Sequence, residues 1–181
     1  MQLRNDRERY GLVAVLLHWL MALVIVGMFA LGLWMTSLTY YDTWYHRGPW
    51  VHKGIGVLLF LLLLMRLGWR LANPRPGHLA SHTPFERLAA GIVHWAMYLL
   101  LFGVFFSGYL MDTAEGHPVD VFGWFSVPAT LSGLPRQADF AGYAHLGLAI
   151  VLIALVALHA AAALKHHFID KDRTMRRMFG R

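Results

Sequence analysis

Histidine is the residue type that carries the chemistry of this sequence. The 181 residues include eleven histidines and no cysteine, which excludes disulfides, thiolate metal sites and a covalently attached c-type haem. Any metal chemistry must therefore use imidazole. Five histidines fall within long apolar stretches: His18, His52, His94, His145 and His159. The other six fall in predicted loops or at a helix end: His46, His78, His82, His117, His166 and His167.

The two histidines of the last apolar stretch have the most informative spacing. Fourteen residues separate His145 from His159, so on an α-helix both rings leave nearly the same face, about 21 Å apart along the axis. His52 matches the depth of His145 on another stretch, and His18 matches the depth of His159. Two imidazoles that face each other across a helix bundle suit the axial positions of a b-type haem. The sequence therefore predicts two haem sites, His18 with His159 and His52 with His145.

Three other interpretations of these histidines are weaker. A lone histidine in a membrane helix more often forms an interhelical hydrogen bond, but four histidines at two matched depths favour ligands. A zinc site needs three or four ligands at one depth. A proton relay normally includes buried carboxylates, and none of the ten acidic residues lies deep in an apolar stretch.

Two further polar residues lie near the predicted depth of His18 and His159. His94 could replace His18 as a ligand, or it could form hydrogen bonds with the head of a quinone. Arg66 lies one helical turn deeper than Arg70 on the same face of its helix. The sequence predicts that Arg66 meets a haem propionate or a quinone carbonyl, whereas Arg70 anchors the helix at the membrane surface.

Four apolar stretches position these side chains. They run over approximately 11–38, 50–72, 84–111 and 141–168, and each is longer than the ~20 residues that cross a bilayer. With 57% hydrophobic residues and a mean hydropathy of +0.48, the chain is predicted to be an all-α, integral membrane four-helix bundle that forms a single domain over 1–181. Thr83-Pro84-Phe85-Glu86 has the pattern of a capping box and marks the start of the third helix.

The basic residues indicate the orientation of the chain. Thirteen of the 16 lysines and arginines, Arg181 included, fall on the side of the two termini, so the positive-inside rule predicts that both termini are cytoplasmic. The longer loop over 112–140 is then periplasmic. The net charge of +6 would suggest nucleic acid in a soluble protein, but here it reports orientation, and no nucleic-acid partner is expected.

The order of these motifs resembles that of the bacterial cytochrome b561 family, and the resemblance covers essentially the whole chain. The segments that carry it are Leu17-His18-Trp19-Leu20, Val51-His52-Lys53-Gly54-Ile55-Gly56, Arg66-Leu67-Gly68-Trp69-Arg70, Val93-His94-Trp95, Ala144-His145-Leu146-Gly147 and the run from Leu158 to His167. The resemblance implies a four-helix cytochrome of the bacterial inner membrane with two haem b groups. It assigns His18 and His159 to the cytoplasmic-side haem and His52 and His145 to the periplasmic-side haem.

One branch of this family, to which the small chain is similar, oxidises superoxide to O2 at the periplasmic face and reduces ubiquinone to ubiquinol. The resemblance then implies a ubiquinone site near His94, His166 and Arg66. Relatives in larger enzymes are membrane-anchor subunits that pass electrons to quinone. The alternative function is therefore an electron relay between a periplasmic redox partner and quinone.

Superoxide is a small anion, so positive charge at the outer face should steer it. The outer cations are Arg47, Lys53 and Arg136, against five acidic residues. A local funnel is therefore needed, and Lys53 and Arg136 are the candidate steering residues. The five acidic residues are Asp42, Asp112, Glu115, Asp120 and Asp139.

Overall fold

Four long helices dominate the computed structural model of the chain, which describes residues 2–77, 79 and 81–179. The helices are α1 (Leu12–Met35), α2 (Arg47–Ala72), α3 (Pro84–Asp112) and α4 (Gln137–Phe168). Each is long and apolar enough to cross a membrane, which confirms the predicted all-α membrane architecture. The cytoplasmic location of the termini and the single domain stay predictions. His78 and Arg181 lie outside the described residues.

The helix ends follow local hydrogen bonding. The capping box at the start of α3 is confirmed, since the N–H of Glu86 donates to Oγ1 of Thr83 at 3.2 Å and the N–H of Thr83 donates to Oε2 of Glu86 at 2.9 Å. α4 begins four residues before the predicted position. The reason is the buried Gln137, whose Nε2 donates to the carbonyl oxygens of Leu110 and Leu131 at 2.9 and 3.0 Å.

The helices are divided between two compact units. The first unit comprises Met1–Ala22, Leu62–Tyr98 and Ala154–Arg181, and the second comprises Leu23–Leu61 and Leu99–Ile153. Each unit has its own buried side chains, with Met21 and Leu63 fully buried in the first and Val121 and Thr113 fully buried in the second. Every long helix therefore contributes residues to both units.

Large apolar side chains cover much of the outer surface of these helices. Leu23 of α1 is 71% exposed and Leu99 of α3 is 68% exposed. In water such a surface would be unstable, but in a bilayer it faces acyl chains while the helical backbone satisfies its own hydrogen bonds. This distribution is what the predicted membrane spans require.

The loop between α3 and α4 contains a short antiparallel hairpin that the sequence did not predict. Its strands are β1 (Val119–Val121) and β2 (Phe125–Val127). Phe122 and Gly123 both have positive φ, at 56° and 72°, and the N–H of Trp124 donates to the carbonyl oxygen of Val121 at 3.0 Å. These are the features of a type I′ turn.

The hairpin packs against the start of α2 within the second unit. The ring of Phe122 lies edge-on to that of Trp50, with centroids 4.9 Å apart, and Nε1 of Trp50 donates to Oδ2 of Asp120 at 3.0 Å. A Cβ built on Gly54 would lie 2.6 Å from Cζ of Phe122. The missing side chain of Gly54 therefore makes room for the ring of Phe122.

A fifth short helix, α5 (Thr174–Arg177), follows α4 within the first unit. The indole N–H of Trp19 donates to the carbonyl oxygen of Met178 at 2.7 Å, and the rings of Trp19 and Phe179 stack with centroids 5.0 Å apart. These contacts fasten the segment after α4 to the beginning of α1.

Candidate functional site

His52 and His145 face each other in the second unit. α2 carries His52 one turn after its start and α4 carries His145 two turns after its start. Their ring centroids lie 6.1 Å apart, with an interplanar angle of 75°. The structure therefore brings together the two side chains that the sequence paired at the outer depth.

The ring of His145 is oriented by the backbone of α3. Its Nδ1 lies 2.8 Å from the carbonyl oxygen of Val104 and 3.4 Å from Oγ of Ser107. A carbonyl only accepts, so Nδ1 carries the proton and Nε2 keeps its lone pair. This is the arrangement in which a histidine offers Nε2 to a metal while the backbone fixes its ring.

Two glycines make room for these rings. A Cβ on Gly108 would lie 3.0 Å from Cε1 of His145, and a Cβ on Gly32 would lie 3.3 Å from Cε1 of His52. The buried Nδ1 of His52 has no hydrogen-bond partner within the described residues. A buried nitrogen without a hydrogen bond costs folding free energy. The ring of His52 is therefore free to contact a group other than the protein side chains described here.

Three histidines meet in the first unit, one each from α1, α3 and α4. The ring centroids of His18 and His159 lie 6.2 Å apart, and those of His94 and His159 lie 5.2 Å apart. The structure thus places both candidate partners beside His159. The choice between His18 and His94, which the sequence left open, is not made by proximity alone.

Arg66 lies against the same cluster. Its Nη2 donates to Nδ1 of His18 at 2.9 Å, and Nη1 lies 3.8 Å from the sulfur of Met21. The guanidinium also lies 5.9 Å from the ring centroid of the buried Tyr98. Aromatic faces stabilise a cation that has lost part of its water, so Arg66 is a partly buried cation beside the histidines.

The aromatic partners of Arg66 and Arg70 were not predicted from the sequence. The guanidinium of Arg70 lies 5.6 Å from the ring centroid of Trp95 and 5.5 Å from that of Tyr98. The available signal was the spacing, because the two arginines are four residues apart on α2 and the two rings three apart on α3. Which residues of α2 and α3 contact each other cannot be assigned until the packing of the two helices is known.

The two candidate steering residues each have an acidic partner. Nζ of Lys53 lies 3.0 Å from Oδ1 and 3.2 Å from Oδ2 of Asp112, with both side chains about one-third exposed. Nε of Arg136 lies 3.4 Å from Oδ2 of Asp139, and this pair is mostly exposed. Each candidate steering residue is therefore paired with a carboxylate of its own.

His166 has acidic neighbours and a second histidine. Its Nδ1 lies 2.9 Å from Oδ2 of Asp170 and 3.1 Å from Oδ2 of Asp172, and its ring centroid lies 4.7 Å from that of His82. Among the described residues no contact links it to Arg66 or His94. Its predicted role at a quinone stays a prediction.

The carboxyl group of Asp172 is held ionised. Burial raises its pKa, but this effect is outweighed by hydrogen bonds from Thr174 and by the nearby charges of His166 and His82, so that the pKa lies below its usual value. Asp172 is thus available as an anion next to the two imidazoles.

Comparison with known proteins identifies the family. The sequence profile described as "Prokaryotic cytochrome b561" matches residues 9–181. The chain is 54% identical to "Cytochrome b561 homolog 2" of Escherichia coli (strain K12) over 100% of this chain and 96% of that protein. It is 27% identical to "Probable superoxide oxidase CybB" of Yersinia pestis over 94% of this chain and 96% of that protein. It is 23% identical to "Cytochrome b561 homolog 1" of Escherichia coli (strain K12) over 96% of this chain and 98% of that protein.

These matches span the four helices and all the histidines discussed above. The chain therefore belongs to the prokaryotic cytochrome b561 family, whose members are multi-pass, haem-binding membrane proteins of electron transfer.

Proposed function

We propose that this protein carries electrons across the bacterial inner membrane through two haem b groups, one between His18 and His159 and one between His52 and His145. The observation that carries the proposal is the spacing of the rings in each pair, 6.2 and 6.1 Å between centroids. Two imidazoles on opposite sides of one metal, with metal–nitrogen distances of about 2 Å, have centroids roughly 6 Å apart. Both pairs fit this requirement.

When bound, haem b supplies a one-electron redox couple whose potential depends on its ligands and surroundings. His18 with His159 and His52 with His145 would hold the two groups, and the chemistry supplied there would be the transfer of single electrons. The residues of this chain therefore serve to hold and insulate an electron carrier.

Superoxide is the proposed electron donor. Two superoxide anions would each give up one electron and leave as O2, and the two electrons with two protons would convert ubiquinone to ubiquinol. Similarity to a probable superoxide oxidase supports this assignment. Lys53 precedes Gly54 on the turn of α2 that also carries His52, so we propose that Lys53 and Arg136 attract the anion to the outer histidine pair.

Ubiquinone is the proposed acceptor, bound next to His18 and His159. Arg66 and His94 both lie beside these rings and can donate hydrogen bonds to quinone carbonyls. Arg66 can instead pair with a haem propionate, because the planar guanidinium matches the two oxygens of a carboxylate. His166 would stand at the membrane surface, where it could exchange protons with water.

The proposed orientation places both termini in the cytoplasm, with one membrane domain over the whole chain. It is supported by the thirteen of 16 basic residues that share the side of the termini. In this orientation the quinone is reduced near the cytoplasmic face and superoxide is met at the periplasmic face.

A second candidate function is an electron relay between a periplasmic redox partner and the quinone pool. The ion pair between Lys53 and Asp112 favours it, because a carboxylate 3.0 Å from the ammonium cancels much of the field that would attract a small anion. A relay would accept electrons from a docked protein and would need no such field.

One experiment separates the two functions. The purified chain is exposed to superoxide generated in solution, and haem reduction is followed by absorption before ubiquinone is added. We expect reduction that superoxide dismutase prevents, reoxidation on adding ubiquinone, and a large loss of the first step in Lys53→Glu combined with Arg136→Glu. Failure of superoxide to reduce a protein that dithionite reduces and ubiquinone reoxidises would overturn the superoxide function and leave the relay.

A further inference from the structure

Two histidines and an aspartate meet where the segment before α3 contacts the last turn of α4 and the segment after it, within the first unit. We propose that His82, His166 and Asp172 bind a divalent transition-metal cation of the Zn²⁺ class. The site is distinct from the histidine pairs proposed to hold haem. All three side chains are partly buried, and one ligand atom of each lies within 4.8 Å of the others.

The distances around Asp172 match those between neighbouring ligands of a tetrahedral metal. Its Oδ2 lies 3.3 Å from Nε2 of His82 and 3.1 Å from Nδ1 of His166. With metal–ligand distances of about 2.0–2.2 Å, two ligands of a tetrahedral Zn²⁺ are roughly 3.3 Å apart. A carboxylate with two imidazoles is also a common protein ligand set of zinc sites that keep a fourth position for water.

Hydrogen bonding alone leaves this cluster incomplete. Nδ1 of His166 is buried and, although two carboxylate oxygens lie 2.9 and 3.1 Å away, it forms no aligned hydrogen bond within the described residues. Short distances without alignment mean that neither oxygen lies along the N–H direction. A cation between the nitrogen and the carboxylate would use the lone pair that a hydrogen bond does not.

The charges around the cluster favour a cation. Two further carboxylates lie nearby, and those of Glu86 and Asp170 are 2.7 and 2.8 Å from Nζ of Lys165. The ammonium of Lys165 therefore forms ion pairs with these two carboxylates, whereas Asp172 contacts the histidines. The guanidinium of Arg87 donates to the backbone carbonyl of His82 at 3.0 Å and does not engage Asp172. Oδ2 of Asp172 therefore has the two imidazoles and the hydroxyl of Ser81 as its neighbours, and no lysine or arginine pairs with it among the described residues.

Neighbouring groups already orient the ligands. The N–H of Thr174 donates to Oδ1 of Asp172 at 2.8 Å, which leaves Oδ2 facing the histidines. Oγ of Ser81 lies 3.3 Å from Oδ2, and Oγ1 of Thr174 lies 3.0 Å from Nε2 of His82. Partners of this kind fix ligand geometry around metals. When the metal binds Nε2 of His82, the hydroxyl of Thr174 must give up its contact with that nitrogen.

The test is Zn²⁺ binding to the purified full-length protein, produced with an affinity tag free of histidine. Equilibrium dialysis with elemental analysis should give one tight Zn²⁺ per chain in addition to iron. His82→Gln, His166→Gln and Asp172→Asn should each weaken it at least about tenfold. The matched control is His117→Gln, an exposed histidine of the second unit, which should bind Zn²⁺ as the parent does.

X-ray absorption at the zinc edge provides a measurement that does not depend on the variants folding. We expect two imidazole ligands and distances near 2.0–2.2 Å from the zinc to its ligand atoms. Absence of stoichiometric binding, binding that survives all three substitutions, or a shell of oxygen alone would each overturn the proposal. His82→Gln and Asp172→Asn leave the imidazole of His166 in place, so they also separate this site from a quinone contact at His166.

Discussion

The guanidinium of Arg66 donates to the imidazole of His18, with 2.9 Å between Nη2 and Nδ1. A guanidinium has no acceptor, so Nδ1 of His18 must accept, and the proton of the neutral ring is then on Nε2. His145 has the opposite arrangement, because Nδ1 donates to the carbonyl oxygen of Val104 at 2.8 Å. His145 is ready to offer Nε2 to iron, whereas His18 can do so only when Arg66 moves to another partner.

The first prediction concerns that movement. If Arg66 turns to a haem propionate, Arg66→Met should keep two haems per chain but lower the reduction potential of one by on the order of tens of millivolts, since a nearby positive charge is lost. Arg66→Lys, which keeps the charge, should change the potential less. Redox titration followed by absorption measures both. Equal potentials in the parent and Arg66→Met would contradict a place for Arg66 beside the haem.

The second prediction separates His18 from His94, the two neighbours of His159. We expect His18→Ala to lose one of two haems, because an axial ligand is removed, and His94→Ala to retain both while it slows reoxidation by ubiquinone. Haem content is measured by pyridine haemochrome absorption, with His145→Ala as the reference for loss of the other haem. The reverse result, haem loss in His94→Ala alone, would make His94 the ligand.

The sequence predicted the parts of this protein that depend on local periodicity. The length of the apolar stretches predicted the helices. The fourteen-residue interval between His145 and His159 predicted two histidine sites on α4. In the structure His52 lies beside His145 and His18 lies beside His159, as predicted. Contacts that depend on how distant segments meet were not predictable. Phe122 reaches Gly54 only because an αL residue turns the hairpin, and no pattern in the loop specifies that conformation.

Charge pairing was beyond prediction for the same reason. Lys53 and Asp112 are 59 residues apart, and their contact depends on where α3 ends relative to the first turns of α2. His166, in the last turn of α4, likewise meets His82 before α3 and Asp172 after α4, and neither of those two segments carries a periodic signal. Sequence could assign each charge to an end of the bundle but could not pair it with a neighbour.

The third prediction tests whether the pair of Lys53 with Asp112 limits capture of superoxide. Asp112→Asn should raise the rate of haem reduction by superoxide several-fold at low ionic strength, because the ammonium is no longer neutralised, and Lys53→Met should lower it. Both differences should shrink in about 0.5 M salt. Lys171→Met, the same change on the segment after α4, should have no effect. Salt-independent rates in all variants would exclude steering by Lys53.

The fourth prediction concerns the fit between the hairpin and α2. A methyl group at Gly54 would lie 2.6 Å from the ring of Phe122, whereas one at Gly27 would meet nothing within 4 Å. Gly54→Ala should therefore destabilise the protein by about 1–3 kcal/mol of overpacking. Gly27→Ala should be neutral or stabilising by up to about 1 kcal/mol, since alanine is the better helix former.

Thermal unfolding in detergent measures the two effects, and limited proteolysis of the loop between α3 and α4 locates the first. If Phe122 is displaced, cleavage should increase near the hairpin in Gly54→Ala and stay at the parental rate in Gly27→Ala. Phe122→Ala should rescue the stability of Gly54→Ala, because it removes the ring that the methyl group meets. Equal unfolding temperatures for both glycine variants would show that the ring of Phe122 does not pack against Gly54.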